Sequence, residues 1–386
     1  MIDLYQQSLQ LHKTYQGKYR IESKIPIRDF QDLSVAYSPG VAAPCRAIAN
    51  NKEDVYTYTS KGSTIAVISD GSAVLGLGNI GPEAALPVME GKAILFKEFA
   101  DINAIPLCLA TQDTEEIIRI CKALAPSIGG INLEDISSPR CFEIEERLKA
   151  ELDIPVFHDD QHGTAIVVAA AIINANRLSG RRMEDLRVVI NGLGAAGVAI
   201  AQILHDLGIQ HIIALNSKGV VHVSNPPNTT VAKLFAAGVL VDDPDKHTLS
   251  DAMANSNVFI GVSVGNVVTP AMVQSMQEHP YIFAMANPDP EIMPDLAKSA
   301  GALVVGTGRS DFPNQINNVL AFPGIFHGAL HARAKQITNE MKLAAAHAIA
   351  NIVSDSELKS SYIIPGAFDE RVVPAVSQAV QQHVMP

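Results

Sequence analysis

The sequence is poor in several features that would each have marked a class of protein. It has no tryptophan, and aromatic residues make up only 5% of its 386 positions. It has four cysteines, Cys45, Cys108, Cys121 and Cys141, none of them in a Cys-x-x-Cys pair. That argues against a disulfide framework or a thiolate zinc site and makes reduced thiols, in a cytoplasmic protein, the simplest expectation. No uninterrupted apolar run reaches the roughly 18 residues that a membrane span needs. The opening stretch MIDLYQQSLQLHKTYQGKYR lacks the charged-then-apolar layout of a signal peptide. Positive charge is also scarce: 29 Lys and Arg against 40 Asp and Glu leave a net −11. A field of that sign repels phosphate backbones and anionic lipid, so neither nucleic acid nor a membrane is an expected partner. An anionic substrate would need local positive groups or a metal to overcome it.

What is present reads as globular. Hydrophobic residues are 47% and charged residues 18%, and the length suits two or three domains of about 150 residues. Residues 3–16 predict a helix on the surface or on a partner, and residues 20–40 read as irregular. From residue 64, β-rich runs alternate with helical stretches. TIAVISD (64–70), AIPLCLA (104–110), GGINL (129–133) and IPVF (154–157) read as strands, with amphipathic helices over 114–125 and 139–152. After a long apolar helix (164–178) a second series begins. Its strands are RVVING (187–192), HIIALN (211–216), NVFIGV (257–262), YIFAMAN (281–287) and ALVVGTG (302–308). Such alternation predicts parallel sheets flanked by helices. The expected fold is therefore α/β: an N-terminal α/β substrate domain over residues 1–158, then a Rossmann-like doubly wound dinucleotide-binding domain over 159–386. A final short helix (371–386) folds back on one of them.

Gly-x-Gly-x-x-Gly occurs twice. Gly76-Leu77-Gly78-Asn79-Ile80-Gly81 lies well past the end of its strand and is followed by Pro82, which fits a tight backbone turn better than a dinucleotide loop. Gly192-Leu193-Gly194-Ala195-Ala196-Gly197 follows RVVIN directly and opens the helix over 195–208. In that setting Gly192 permits the turn, Gly194 lets the backbone approach a pyrophosphate, and Gly197 lets helix and strand pack closely. The acid usually found on the adenosine ribose is replaced by Asn216, with Lys218 close behind. Asn does not repel a 2′-phosphate and Lys218 can pair with one, so both NAD and NADP stay open.

Two acidic pairs stand at strand ends: Glu134-Asp135 and Asp159-Asp160. Carboxylates there suit a hard cation such as Mg²⁺ or Mn²⁺, although Asp159-Asp160 also fits simple helix capping. His158 and His162 loosely resemble a zinc helix, but the glutamate of that pattern is absent. Lys92 and Lys97, in MEGKAILFKEFAD, are candidate bases, since a desolvated lysine can lose its proton near neutral pH. Tyr37, in AYSPGVAAPC, is a phenol on a Pro-Gly turn.

Taken together, AYSPGVAAPC, AVISDGSAVLGLGNIG, PVMEGKAILFKEFADI, INLEDISSPRCFEIE, VFHDDQHGTAIV, INGLGAAG, ANPDPE and NQINNVLAFPGIF resemble, in order, the short bacterial form of malic enzyme. The resemblance implies oxidative decarboxylation of L-malate to pyruvate and CO₂ with NAD or NADP and a divalent metal, and implies a capacity to decarboxylate oxaloacetate. It makes Glu134, Asp135 and Asp160 the metal ligands, Lys92 the general base, Tyr37 the general acid, and Asp159 the partner of Lys92. Asn287 and Asn318, with Asn317 beside the latter, fall on substrate-binding amides, and Asn287 is also placed at the cofactor. Gly192, Gly194, Ala195, Ala196 and Gly197 fall on the cofactor loop, with Asn216 and Lys218 beyond it. It implies a homodimer, with Tyr37 placed across the interface. One departure stands out. Larger eukaryotic members carry an arginine after the Asp-Gly turn that contacts a malate carboxylate; this chain has Ser72-Ala73 there, so that contact has to come from elsewhere. An amino-acid dehydrogenase, which needs no metal, and a dinucleotide-sensing protein, which needs no Lys92, are the rival expectations.

Overall fold

The computed structural model describes residues 3–74 and 76–384. Four helices precede any strand: α1 Leu4–Tyr15, α2 Phe30–Ala36, α3 Ala42–Asn50 and α4 Val55–Tyr58. Strict alternation follows, with β1 Thr64–Ser69, α5 Pro82–Ala100, β2 Asn103–Cys108, α6 Thr114–Leu124, β3 Gly130–Leu133, α7 Arg140–Glu151 and β4 Val156–His158. Helix α8, Asp159–Ser179, leaves β4 without a break. The second series is β5 Arg187–Asn191, α9 Ala195–Asp206, β6 His211–Asn216, β7 Gly219–Val220, α10 Thr229–Ala236, α11 Leu249–Met253 and β8 Val258–Gly261. It continues through α12 Pro270–Gln274, β9 Tyr281–Ala284, α13 Pro294–Ser299 and β10 Val304–Thr307, and closes with α14 Phe322–His331, α15 Asn339–Ile352 and α16 Val372–Gln382. Met385 and Pro386, the end of the expected terminal helix, lie outside the described residues.

The first sheet has the order β2-β1-β3-β4 and is parallel throughout. The second has the order β10-β9-β8-β5-β6-β7 and is parallel except at its β6–β7 edge. All six residues of β1 and all four of β8 and β9 are buried, as expected of parallel strands covered on both faces. The antiparallel edge strand β7 has no counterpart in the periodicity, because two residues carry no period. It forms because Asn216 Oδ1 accepts from the Lys218 amide at 2.8 Å and closes the turn. Helix α2 likewise lies in the stretch expected to be irregular. Asp29 caps it, accepting from the Asp32 amide at 2.8 Å, but its seven residues bury nothing, so no apolar stripe announces it.

Helix α8 carries an apolar surface on nearly every side, from Ala165 to Ala175, because it lies between the sheets. One continuous core joins it to Phe96 of α5, Phe157 of β4, Ile190 of β5 and Val258 of β8. The terminal helices return to the first sheet: Phe96 packs edge-on against Phe322 and Phe326 of α14, at 4.6 and 5.3 Å between ring centroids. Helix α16 packs on α14 and α15. Among the described residues no helix is long and apolar enough to cross a membrane. Helices α1–α4 bury no residue at all, leaving Leu4, Leu9, Ile21, Phe30 and Val35 exposed.

Candidate active site

In an open α/β sheet the crevice lies past the carboxyl ends of the strands where the strand order reverses. In the first sheet that point is between β1 and β3. Asp70 follows β1, Glu134 and Asp135 follow β3, and Asp159 and Asp160 follow β4 as the first residues of α8. Lys92, in the middle of α5, reaches into this acidic group. Its Nζ lies 2.6 Å from Asp159 Oδ2 and 2.9 Å from Glu134 Oε1, and 4.2 Å from the centre of the Phe322 ring. Lys92, Glu134, Asp135 and Asp159 are all buried.

The carboxylates are held from behind. Asn318 Nδ2 donates to Asp159 Oδ2 at 2.6 Å, and Asn132 Nδ2 donates to Glu134 Oε2 at 2.8 Å. Asp160 Oδ2 accepts from the Asp135 amide at 2.7 Å and lies 3.3 Å from His158 Nε2. Burial pulls the Lys92 ammonium down, but Asp159 and Glu134 outweigh it and hold the group well above the usual lysine range. Burial, with Asp160, Asp159 and Asp135 around it, pushes Glu134 up against the opposing pull of Lys92. Asp160 is pulled the other way: the hydrogen bond and charge of His158, then Lys92, overcome its burial and lower it.

The donor set fits a hard divalent cation. Glu134 and Asp159 flank Lys92, and the charges of Asp135 and Asp160 also act on Glu134. Four near carboxylates against one lysine and the His158 imidazole leave the group able to take further positive charge. As the side chains stand, no three such groups among the described residues are arranged to hold an ion: Lys92 occupies Glu134, and the Asp135 amide occupies Asp160. The histidine pair serves another purpose. His162 Nε2 lies 2.8 Å from Glu145 Oε2, and Lys342 Nζ lies 3.2 Å from its Nδ1. Burial pushes the His162 imidazole down to about 4.

The second glycine motif sits at the switch point of the second sheet, between β5 and β8. Gly192 has φ +120°, and a Cβ there would come within 2.6 Å of the Val262 carbonyl oxygen. A Cβ at Gly197 would come within 1.8 Å of the Gly192 carbonyl oxygen, so this turn closes only on glycine. Around Gly194 there is open space, and Gly194, Ala195 and Ala196 start α9 with no side-chain cap. That leaves free amides facing outward for a pyrophosphate, so the loop fits a dinucleotide. Glu291, fully buried, ties the loops after β8 and β9 together by accepting from the Ser263 and Ala286 amides.

The other expected residues stand apart. Tyr37 is 69% exposed and its side chain makes no hydrogen bond among the described residues. Lys97 pairs with Asp101 on the outer side of α5. Asn317 spends its side chain capping a short turn at the Val319 amide. Asn287 is exposed beside Gly308 and Gly76, and Lys218 is exposed beyond Asn216. Asn132, Asp70 and Arg140 are not announced by the sequence. Asn132, inside a strand, carries no sequence signal of its task. The Asp70–Arg140 pair, 2.9 Å apart, joins positions 70 residues apart.

A Rossmann-type glycine loop on one sheet and an acidic, lysine-centred crevice at the other are the arrangement expected of a dinucleotide-dependent oxidoreductase. Comparison with known proteins narrows this. The malic enzyme N-terminal domain family matches residues 16–149 and the malic enzyme NAD binding domain family matches residues 161–385. The chain is 56% identical, over all of its own length and 94% of the relative's, to the bifunctional malic/malolactic enzyme of Bacillus subtilis. It is 55% identical, over 94% of its own length and 76% of the relative's, to the NAD-dependent malic enzyme of Geobacillus stearothermophilus. The crystal structure of an NAD-dependent malic enzyme from Thermotoga maritima superposes with a TM-score of 0.92 at 48% identity, covering 99% of each chain. The chain belongs to the malic enzyme family.

Proposed function

We propose that this chain oxidises and decarboxylates L-malate to pyruvate and CO₂, reducing NAD or NADP, with Mg²⁺ or Mn²⁺ held by Glu134, Asp135 and Asp160. The observation that carries this reading is Lys92 buried between Asp159 and Glu134 at the sheet's switch point. The two bound groups supply a hydride acceptor and positive charge opposite the developing oxyanions. Asp159 and Glu134 keep Lys92 protonated as it stands; with a divalent cation held on Glu134, Asp135 and Asp160 to offset those carboxylates, its Nζ would be neutral and would accept the proton of the 2-hydroxyl as C2 is oxidised. Asp159, itself gripped by Asn318, keeps the lysine aimed. The resulting β-keto acid loses C4 as CO₂, and the Tyr37 phenol gives a proton to C3, recovering one through Lys92. Oxaloacetate, already at the keto stage, enters at the second step. We assign Asn287, Asn317 and Asn318 to the substrate, and Asn216 and Lys218 to the cofactor's ribose, on the resemblance; of these Asn318 already stands at Asp159. We take residues 1–158 and 159–386 as the two functional units, and place the enzyme in the cytoplasm, in keeping with four free cysteines.

The test is a nicotinamide absorbance assay with L-malate and Mn²⁺, run with NAD and NADP in parallel. Malate-dependent reduction of at least one cofactor is expected; none with either would remove the reading.

Tyr37 lies 69% exposed on the apolar N-terminal face, where α1–α4 bury nothing. Exposed apolar surface of this extent marks an interface, and a second copy, related by a two-fold axis, is the partner we propose. Each Tyr37 then serves the other subunit's Lys92. Mixing Lys92→Ala and Tyr37→Phe proteins, with time for subunits to exchange, is expected to restore about a quarter of wild-type activity, since half the dimers are mixed and carry one intact site. No recovery, with exchange verified, places Tyr37 in its own chain's site.

A further inference from the structure

The proposed substrate is a dianion, while the crevice is lined with carboxylates and its lysine is committed to two of them. A cation is needed for the second carboxylate of the substrate. Arg140 stands where it can act. Its guanidinium lies across the carboxyl ends of three strands. Nη2 donates to Asp70 Oδ2 after β1 at 2.9 Å, to Ser72 Oγ at 3.0 Å and to Ser137 Oγ after β3 at 3.1 Å, and Nη1 donates to the Gln112 carbonyl after β2.

These contacts connect directly to the acidic group. The Ser137 amide donates to Ser72 Oγ at 2.9 Å, and the Ala73 amide donates to the Asp135 carbonyl at 3.0 Å. The Asp70 and Gln112 that grip Arg140 also line a cleft of about 320 Å³ with Pro82, Leu109, Ala110 and Thr111. On its other side Gln112 exchanges two amide hydrogen bonds with Asn79, which holds the first glycine motif against the cleft. The Arg140 side chain is 26% exposed, and among the described residues its Nε–H and second Nη1–H meet no acceptor. Arg309, by contrast, is forked onto Asp311 through Nε and Nη2, beside the second sheet.

We propose that Arg140 binds the carboxylate of the substrate remote from the 2-hydroxyl, and so makes the site select 2-hydroxy dicarboxylates over monocarboxylates. This rests on the malate reading above. Asp70, wholly buried against Arg140, already offsets much of the guanidinium charge. The arginine can therefore direct the departing carboxylate without holding its charge in place, as decarboxylation requires. A planar fork suits such a contact better than an ammonium ion would.

The test compares Arg140→Gln and Arg140→Lys with wild type in the presence of Mn²⁺. Three quantities are read: KM for L-malate, KM for the dinucleotide, and calorimetric binding of L-lactate, which is malate without the remote carboxylate. Arg140→Gln is expected to raise KM for malate at least 30-fold, leave the dinucleotide KM within twofold, and change lactate binding less than threefold. Arg140→Lys keeps the ion pair with Asp70 and should retain the fold if the glutamine variant does not. Its loss is expected to lie between the two and likewise to fall on malate alone. Equal weakening of malate and lactate, or a malate KM within twofold of wild type, would overturn the proposal. A wild-type enzyme that neither turns over nor binds malate removes the underlying reading, and this inference with it.

Discussion

Lys92→Ala is expected to lower kcat for malate oxidation by about 10³-fold, the middle of the range for loss of a positioned proton acceptor. The loss should fall far less on decarboxylation of oxaloacetate, in which no hydroxyl proton is taken. That contrast separates chemistry from damage, because a collapsed site would lose both activities together. Damage is a real concern here. Without the ammonium ion, Asp159 and Glu134 keep, among the described residues, only Asn318 and Asn132 as side-chain hydrogen-bond partners. Breaking a buried pair from one side costs about 3–5 kcal/mol in general. The variant is therefore expected to melt several degrees lower, while its affinity for the dinucleotide, measured by nicotinamide fluorescence, stays near wild type. The glycine loop proposed to bind it lies on the other sheet. If malate oxidation survives in Lys92→Ala within tenfold of wild type, Lys92 is not the base.

Parts of this architecture were legible in the sequence for a physical reason. Parallel strands covered on both faces must be apolar without interruption, so TIAVIS and YIFA are read directly as strands. The second glycine motif was legible because Gly192 and Gly197 each answer to a clash with atoms from the same short segment or its neighbouring strand. Glu134, Asp135, Asp159 and Asp160 followed from the strand ends that carry them. Arg140 did not. An arginine opening an amphipathic helix looks like any solvated residue, and its task arises only because β1 and β3 are neighbours. The N-terminal segment was obscure for the opposite reason: helices α1–α4 bury nothing within one chain, so no core dictates a periodic pattern. Glu145, His162 and Lys342 form a largely buried polar group that ties α7, α8 and α15 together. Their sequence spacing, 180 residues from His162 to Lys342 alone, conceals it.

Removing divalent metal is expected to abolish malate oxidation, and Asp160→Asn to lower kcat/KM by about 10³-fold or more, since metal and ligand act on the same developing charge. Activity alone would not show that Asp160 is a ligand, and stability supplies an independent reading whose sign is fixed by electrostatics. Without metal, Asp160 is still held low by the hydrogen bond and charge of His158 and by Lys92, so its charge stabilises the fold. Asparagine keeps the oxygen that accepts from the Asp135 amide but loses those charge interactions. The metal-free variant is therefore expected to melt somewhat lower than the metal-free wild type. With Mn²⁺ the gap widens. A cation held only by the folded protein stabilises it by about 2.7 kcal/mol at a hundred times its Kd, a gain of several degrees for wild type that the variant should largely lose. Melting curves of both proteins, with chelator and with Mn²⁺, decide the matter. A wild type that keeps its turnover in chelator, or a variant that gains as much from Mn²⁺ as wild type does, rules out the carboxylate centre as the metal's seat.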